Sequence, residues 1–183
     1  MVRFMGLTSG IVLGCAAVVP GAALGQSAVE LAQSFQADLG GVQEVPSIST
    51  SGSGRFEAEV IPEDGSIAYD LRYSGLESAV AQAHIHFSQA ATNGEIIVFL
   101  CTNLGNGPDG TQNCPEGDGE VSGVITADDV LGSEDQGLDA GAFDQLLQAM
   151  FDGGTYANVH TAGHGSGEIR GQITAQTPEV VAE

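Results

Sequence analysis

The sequence contains no lysine and no tryptophan, and arginine supplies all four of its cationic residues. The 24 acidic residues outnumber them and give a formal net charge of −20 over 183 residues. Nucleic-acid binding requires cationic side chains that neutralise phosphates, and attraction to anionic membranes requires a basic surface. The lack of basic residues therefore excludes both as binding partners.

Aromatic residues make up only 5% of the chain, yet 42% of its residues are hydrophobic. That fraction is too high for a disordered acidic segment, and the length suits a single domain with its own core. The sequence also lacks a Gly-x-Ser-x-Gly elbow, a P-loop and a Rossmann fingerprint. Hydrolase and nucleotide chemistry therefore have no support in the motifs.

The N-terminus predicts an export signal. Arg3 is its only charged residue, and a mostly apolar stretch runs over residues 4–24. The small residues Ala23 and Gly25 fit the last positions before a cleavage site, so we expect cleavage after Gly25. This predicts a secreted or periplasmic protein with no segment inserted in the membrane. A lipoprotein anchored through Cys15 is the less favoured alternative.

Signal cleavage leaves two cysteines, Cys101 and Cys114. The residues between them are rich in Gly, Asn, Asp and Pro, which favour turns. In an exported protein such a pair predicts a disulfide that closes a polar loop. A metal-thiolate site is the alternative, but the spacing is poor and no histidine lies nearby.

Alternation of apolar and polar residues begins at Phe35 and is clearest in two runs, residues 56–60 and 67–73. Period-two alternation predicts strands with one buried face, and the sequence Pro-Glu-Asp-Gly at 62–65 predicts a hairpin turn between them. Many short strands separated by turns predict a mainly β protein with an antiparallel sandwich or barrel. The further predicted strands are 80–87, 94–101, 119–126, 155–161 and 167–174.

One segment has a helical period. Between Asp139 and Gly153, apolar residues recur at intervals of three and four. Asp139 is the expected N-cap and Gly153 the expected end, which predicts one amphipathic helix at about 139–152. We expect it to cover an open end of the sandwich.

Three motifs follow the order and spacing of a known family. They are Leu39-Gly-Gly-Val-Gln-Glu-Val-Pro46, then Ala83-His-Ile-His86 with Asn93-Gly94, then Tyr156-Ala-Asn-Val-His-Thr161 with Gly167-Glu-Ile-Arg-Gly-Gln172. With them the sequence resembles an exported bacterial member of the CHRD domain family. The resemblance implies an immunoglobulin-like or superoxide-dismutase-like β-sandwich, but no common activity. Together with the export signal, it gives the predicted organisation: a signal peptide (1–25), a linker (26–34), a CHRD domain (35–175) and a tail (176–183).

All four histidines, namely His84, His86, His160 and His164, lie in or beside these motifs. In a strand, His84 and His86 point to the same side, about 7 Å apart. The apolar residues around them face the core, so we expect the histidines on the outer, wetter face, with His160 beside them. Such a His-x-His pair with a third histidine suits a transition metal. We therefore predict a metal site at these residues, with His164 as a further candidate ligand.

Copper is the expected metal and zinc the alternative, since imidazole suits both and Cu(II) heads the affinity series. His84, His86, His160 and Arg170 also show a weak resemblance to positions of the Cu/Zn superoxide dismutases. The zinc loop of those enzymes is missing here, and the negative charge would repel superoxide. Dismutase activity is therefore the weakest of the functional interpretations.

Two charged residues are candidates for contacts behind the metal ligands. Arg170 either orients a ligand or forms an ion pair with a carboxylate across the strands. Glu44 either supports a ligand histidine or makes a structural contact in its turn.

Three functions remain open from the sequence. The first is an exported metal-binding protein, which need not be an enzyme. The second is a non-catalytic extracellular module that binds protein partners, in which the histidines are structural and hydrogen-bond across the strands. The third is a dismutase-like copper oxidoreductase.

Overall fold

The computed structural model describes residues 34–176. Within this range the chain forms nine strands, one α-helix and three short 3-10 turns. The predicted signal peptide, Cys15, the linker up to residue 33 and the tail from residue 177 lie outside the described residues. The strands are β1 (Ser34–Gly40), β2 (Ser53–Ile61), β3 (Ser66–Ser74), β4 (Val80–Phe87), β5 (Glu95–Thr102), β6 (Gly119–Ile125), β7 (Thr155–Thr161), β8 (Ile169–Gln172) and β9 (Thr174–Gln176), and the helix is α1 (Phe143–Phe151).

The described strands all belong to one antiparallel sheet, which closes nearly completely on itself as a barrel-like sandwich. The strand order is β5-β4-β7-β8-β1-β2-β3-β6, and β9 also pairs with β1. The predicted strand at 167–174 is present as β8 and β9, with Ile173 between them. The predicted mainly β, antiparallel fold class is confirmed.

The hairpin of β2 and β3 follows the alternation in the sequence. Phe56 and Leu71 face each other across the two strands and are fully buried, whereas Arg72 points to solvent. The predicted turn at 62–65 joins the strands. Gly65 has a φ of 60° there, a left-handed conformation that glycine adopts without steric cost.

The strands β4 and β7 differ from this hairpin because both of their faces are buried. Ile85 and Val159 point into the apolar core. The opposite face carries polar side chains, and the loops at 41–52, 88–94 and 162–168 fold over it. The prediction that this face is the wetter one was wrong, because period-two alternation does not show which loops cover an outer face.

The loop between β5 and β6 joins the two edge strands of the sheet. Tyr69 on β3 donates its hydroxyl hydrogen to the Leu100 carbonyl of β5 at 2.9 Å, and the Gln112 amide donates to the Tyr69 oxygen at 2.9 Å. The Gln112 carbonyl in turn accepts the Thr102 N–H of β5 at 2.9 Å. The Gln112 amide also donates to the Ser122 carbonyl of β6 at 3.0 Å, so this loop bonds to both edge strands.

The predicted disulfide between Cys101 and Cys114 is present, with the two Cα atoms 5.0 Å apart. It ties the far end of this loop to β5, and both cysteines are buried in the core.

We expect the double substitution of Cys101 and Cys114 by alanine to lower the free energy of unfolding by about 2–4 kcal/mol. The unfolded chain gains the conformational freedom of a loop that the disulfide otherwise closes. Urea unfolding of both proteins under non-reducing conditions measures the difference. An unchanged midpoint would contradict a stabilising role for this cross-link.

The helix α1 begins at Phe143, later than the sequence pattern predicts. Gly141 has a φ of 77°, which interrupts a continuous helix, so Asp139 is not the N-cap. The predicted end is correct: Gly153 is left-handed, with a φ of 67°, and its N–H donates to the Met150 carbonyl at 3.2 Å.

The buried side of α1 packs on the sheet through Leu146, Ala149 and Met150. Phe151 at its end contacts the ring of Phe35 on β1 edge-on, with the ring centroids 5.0 Å apart. In the part of the chain that the structure describes, no helix is long and apolar enough to cross a membrane.

Candidate metal centre

The polar face of β4 and β7 brings the candidate ligands together. His84 and His86 on β4 lie opposite Asn158 and Tyr156 on β7. Every second residue of a strand points to the same side, so His160 joins the same face two residues beyond Asn158. The pairing of β4 with β7 therefore brings two short motifs, about 70 residues apart in the sequence, together in one continuous polar patch.

Three of the four predicted ligands form a compact cluster. One ring nitrogen from each of His84, His86 and His160 lies within 4.8 Å of the other two. Nδ1 of His84 is 3.2 Å from Nε2 of His160. Two nitrogens that bind the same ion at about 2.0–2.1 Å lie about 3 Å apart, so this spacing fits a shared metal ion.

Backbone carbonyls fix the orientation of two of the rings. Nδ1 of His86 lies 2.9 Å from the carbonyl oxygen of Gly94, and Nδ1 of His160 lies 3.1 Å from that of Gly165. A carbonyl only accepts, so each Nδ1 carries the proton and donates it. In this tautomer Nε2 carries a lone pair that can bind a metal ion. Proteins commonly orient metal-binding histidines through such a hydrogen bond from the other ring nitrogen.

Two ring nitrogens of the cluster lack a protein partner. Among the residues of the described range, neither Nε2 of His84 nor Nε2 of His86 makes a hydrogen bond, and both atoms are buried. Buried polar atoms without partners are rare in folded proteins because each costs desolvation free energy. A ligand that His86 binds through Nε2 accounts for one of them directly.

Burial keeps the three imidazoles neutral. His84 has no exposed surface, and His86 and His160 are each 7% exposed. Burial lowers the pKa of His84 to about 2, with the neighbouring His160 and His86 adding to the effect. Burial also lowers the pKa of His86 to about 4, against the hydrogen bond to Gly94, and lowers the pKa of His160. Neutral imidazole is the form that binds metal ions, so the cluster is ready to bind at pH 7.

The metal-free protein should lose stability in acid because of His84. Unfolded histidine binds a proton below about pH 6.5, whereas the folded side chain stays neutral, so stability falls as the pH decreases from 6.5 towards the folded pKa. The loss from this group is about 3 kcal/mol between pH 6.5 and pH 4. Chemical denaturation with a chelator present, at several pH values, measures it.

The variant His84→Leu provides the reference for this measurement. The acidic surface is the same in both proteins, so its contribution cancels in the comparison. We expect the wild type to lose stability relative to the variant as the pH falls. Parallel curves for the two proteins would contradict a buried, neutral His84.

Arg170 and Glu44, the two candidates for supporting contacts, form a buried ion pair. Nε of Arg170 donates to the Glu44 carboxylate at 2.7 Å, and the two side chains are 5% and 2% exposed. Burial raises the pKa of Glu44, and the Arg170 charge opposes this rise. Glu44 contacts Arg170 and not a histidine, so of its two predicted roles the structure favours the structural contact.

The structure places His164 apart from the other histidines. Its Nε2 lies 3.3 Å from the carboxylate of Glu77, and its side chain is partly exposed. The loop 162–168 thus contributes the Gly165 carbonyl to the cluster but not the His164 ring. The geometry supports three of the four predicted ligands.

Several contacts of the cluster were missed from the sequence. The ring of Tyr156 stacks parallel to that of His86, with centroids 4.7 Å apart, and Phe99 meets His84 edge-on at 4.4 Å. The side chain of Asn158 lies 3.1 Å from Nε2 of His160. Alternation places Tyr156 and Asn158 on the same face as His160, so the sequence held a signal for these two residues.

The structure is thus a nearly closed antiparallel sheet that carries three buried histidines on one polar face. The family model of the CHRD domain matches residues 35–173. The chain therefore belongs to the CHRD family, as the sequence motifs predicted. No curated protein and no solved structure matches it.

Proposed function

We propose that this protein binds one transition metal ion through His84, His86 and His160. The observation that carries the proposal is the approach of one ring nitrogen from each histidine to within 4.8 Å of the other two. The carbonyl contacts of Gly94 and Gly165 support it, because they leave lone pairs on Nε2 of His86 and His160.

Copper is the proposed metal, and zinc is the alternative. An all-imidazole donor set suits both ions, and Cu(II) binds such sites more tightly than the other divalent ions of the series. Copper also supplies one-electron redox chemistry when it is bound. Three protein ligands leave a further coordination position, but the near-complete burial of the rings favours binding or storage over catalysis.

A competition titration tests this proposal. Protein that begins at Gln26 is titrated with Cu(II) and with Zn(II) in the presence of a chelator of known affinity. We expect one tightly bound ion per chain, with copper bound more tightly than zinc. Several weak, equivalent sites would instead indicate carboxylates of the acidic surface, and the proposal would fail.

The second candidate function is a non-catalytic extracellular module with structural histidines. The contact between Nδ1 of His84 and Nε2 of His160 supports it, because 3.2 Å is also a hydrogen-bond distance. In that case the titration finds no stoichiometric ion. A superoxide assay on copper-loaded protein tests the dismutase alternative, for which we expect little activity because the net charge is −20.

We also propose that the protein is exported and loses residues 1–25. The disulfide between Cys101 and Cys114 supports this, since such bonds persist in oxidising compartments. N-terminal sequencing of protein from the secreted or periplasmic fraction should begin at Gln26. A lipid-modified N-terminus at Cys15 would instead favour the lipoprotein alternative.

A further inference from the structure

We propose that Arg170 positions His86 for the metal ion, acting through the Tyr156 ring and through the Gly94 carbonyl. The inference rests on the proposed metal site and assigns a role to a residue that does not itself touch the ion.

The first route from Arg170 to His86 is a stack of side chains. Cζ of Arg170 lies 4.1 Å from the centroid of the Tyr156 ring. The Tyr156 ring in turn lies parallel to the His86 ring, at an interplanar angle of 2° and a centroid distance of 4.7 Å. The strand β7, which carries Tyr156, lies between β8 and β4 in the sheet, so the tyrosine connects the other two residues. A cation over a desolvated aromatic face is attracted to it, which fixes the plane against which His86 packs.

The second route runs through the loop 88–94. Nη1 of Arg170 donates to the Thr92 carbonyl at 3.0 Å, and Nη2 donates to the Asn93 side-chain oxygen at 2.8 Å. The next residue, Gly94, supplies the carbonyl that accepts the Nδ1 proton of His86. Arg170 therefore holds the segment that selects the His86 tautomer.

The backbone of the loop 88–94 adopts conformations that its surroundings must stabilise. Ala91 has a φ of 61°, a conformation that costs a non-glycine residue free energy and persists only where the surroundings impose it. A Cβ atom on Gly94 would overlap the Phe87 carbonyl oxygen, so only glycine fits there. The contacts from Arg170 supply part of the required restraint.

The guanidinium shape is essential to this arrangement. Nε bonds Glu44, Nη1 bonds Thr92 and Nη2 bonds Asn93, so three partners surround one planar group. A lysine ammonium carries the same charge but cannot reproduce this planar fork. Arg170→Lys therefore separates the positioning role from the effect of charge alone.

The test uses four variants of the full mature chain. Arg170→Lys disrupts both routes, and Tyr156→Leu disrupts the first. Asn93→Ala removes one contact between Arg170 and the loop, with little risk to folding. Arg72→Met is the matched control, because Arg72 is an exposed cation whose ion pairs lie on the acidic outer face of the sheet. Circular dichroism and thermal unfolding establish that each variant is folded.

Two readouts are measured on each variant. The first, on metal-free protein, is the 15N NMR spectrum of the His86 ring, which reports whether Nδ1 or Nε2 carries the proton. The second is the affinity for Cu(II) in competition with a chelator, together with its EPR spectrum. We expect the site variants to populate both tautomers and to bind copper about 10-fold or more weakly with altered spectra, while Arg72→Met matches the wild type.

The two readouts separate the two proposals. Folded site variants with the wild-type tautomer and the wild-type copper affinity would overturn the role of Arg170. If Arg170→Lys fails to fold, Tyr156→Leu and Asn93→Ala decide the matter in the same way. A wild-type protein that binds no copper contradicts the metal proposal, and the tautomer of His86 in the variants still supports or contradicts the positioning role.

Discussion

Replacement of His86 by alanine should lower the affinity for copper by at least about 100-fold. The site then keeps two imidazole ligands and loses the one that both Gly94 and Tyr156 hold in orientation. Residues that only support a ligand typically account for 10–100-fold in metal affinity, so loss of the ligand itself must reach or exceed that range. Chelator competition on the purified variant measures the change.

His164→Ala is the control for this experiment. His164 lies close to the ligand His160 in the sequence, but its Nε2 pairs with Glu77 and its ring is not part of the cluster. We expect its copper affinity to equal that of the wild type. An equal loss of affinity in both variants would show that the bound copper is not at the buried cluster.

Glu44→Ala should destabilise the protein by about 3–5 kcal/mol. The substitution leaves the Arg170 charge buried without its carboxylate partner, and burial of an unpaired charge is among the most costly changes in a protein interior. Arg170 also holds the loop 88–94, so the loss of order should extend to the metal site. Denaturant unfolding measures the free energy, and thermal unfolding gives the accompanying decrease in Tm.

The matched control is Glu120→Ala on the edge strand β6. Glu120 pairs with Arg72 where both side chains are more than half exposed, and exposed pairs contribute little to stability. We expect that variant to unfold close to the wild type. Similar unfolding of Glu44→Ala and Glu120→Ala would contradict the importance of the buried pair.

Most of the sheet could be predicted because its strands have one polar face. The alternation from Phe35 onwards and the turn at 62–65 gave strands and a hairpin close to their observed positions. The start of α1 could not be predicted, because the left-handed backbone of Gly141 overrides a helical pattern that begins at Asp139. Local periodicity thus failed where a single backbone dihedral angle decides the outcome.

The membership of the candidate site was easier to predict than its environment. The alternation of side chains along a strand predicted that His84 and His86 point to the same side. In the structure the register of β4 and β7 places His160 beside them. Their burial depends on three loops whose positions follow from tertiary contacts, such as the bond from Arg170 to Glu44 across 126 positions of sequence. The separation of His164 from the cluster has the same origin, since its loop turns its ring towards Glu77.

The three arginines of the described residues, Arg55, Arg72 and Arg170, have clear positions in the structure. Arg55 and Arg72 lie on the outer face of the sheet, where each pairs with more than one carboxylate. Arg170 is buried and bonds the loop that carries Gly94. In a chain with a net charge of −20, the single buried arginine of the described residues therefore lies beside the histidine cluster.

The EPR spectrum of protein loaded with one equivalent of Cu(II) tests the central claim most directly. Nitrogen ligands produce superhyperfine splitting, and carboxylate or water oxygens do not. Coordination by His84, His86 and His160 predicts a splitting pattern that requires three equivalent or nearly equivalent nitrogens, and it predicts that His86→Ala lacks this pattern. A wild-type spectrum without nitrogen splitting would place the copper on the acidic surface and contradict the proposed site.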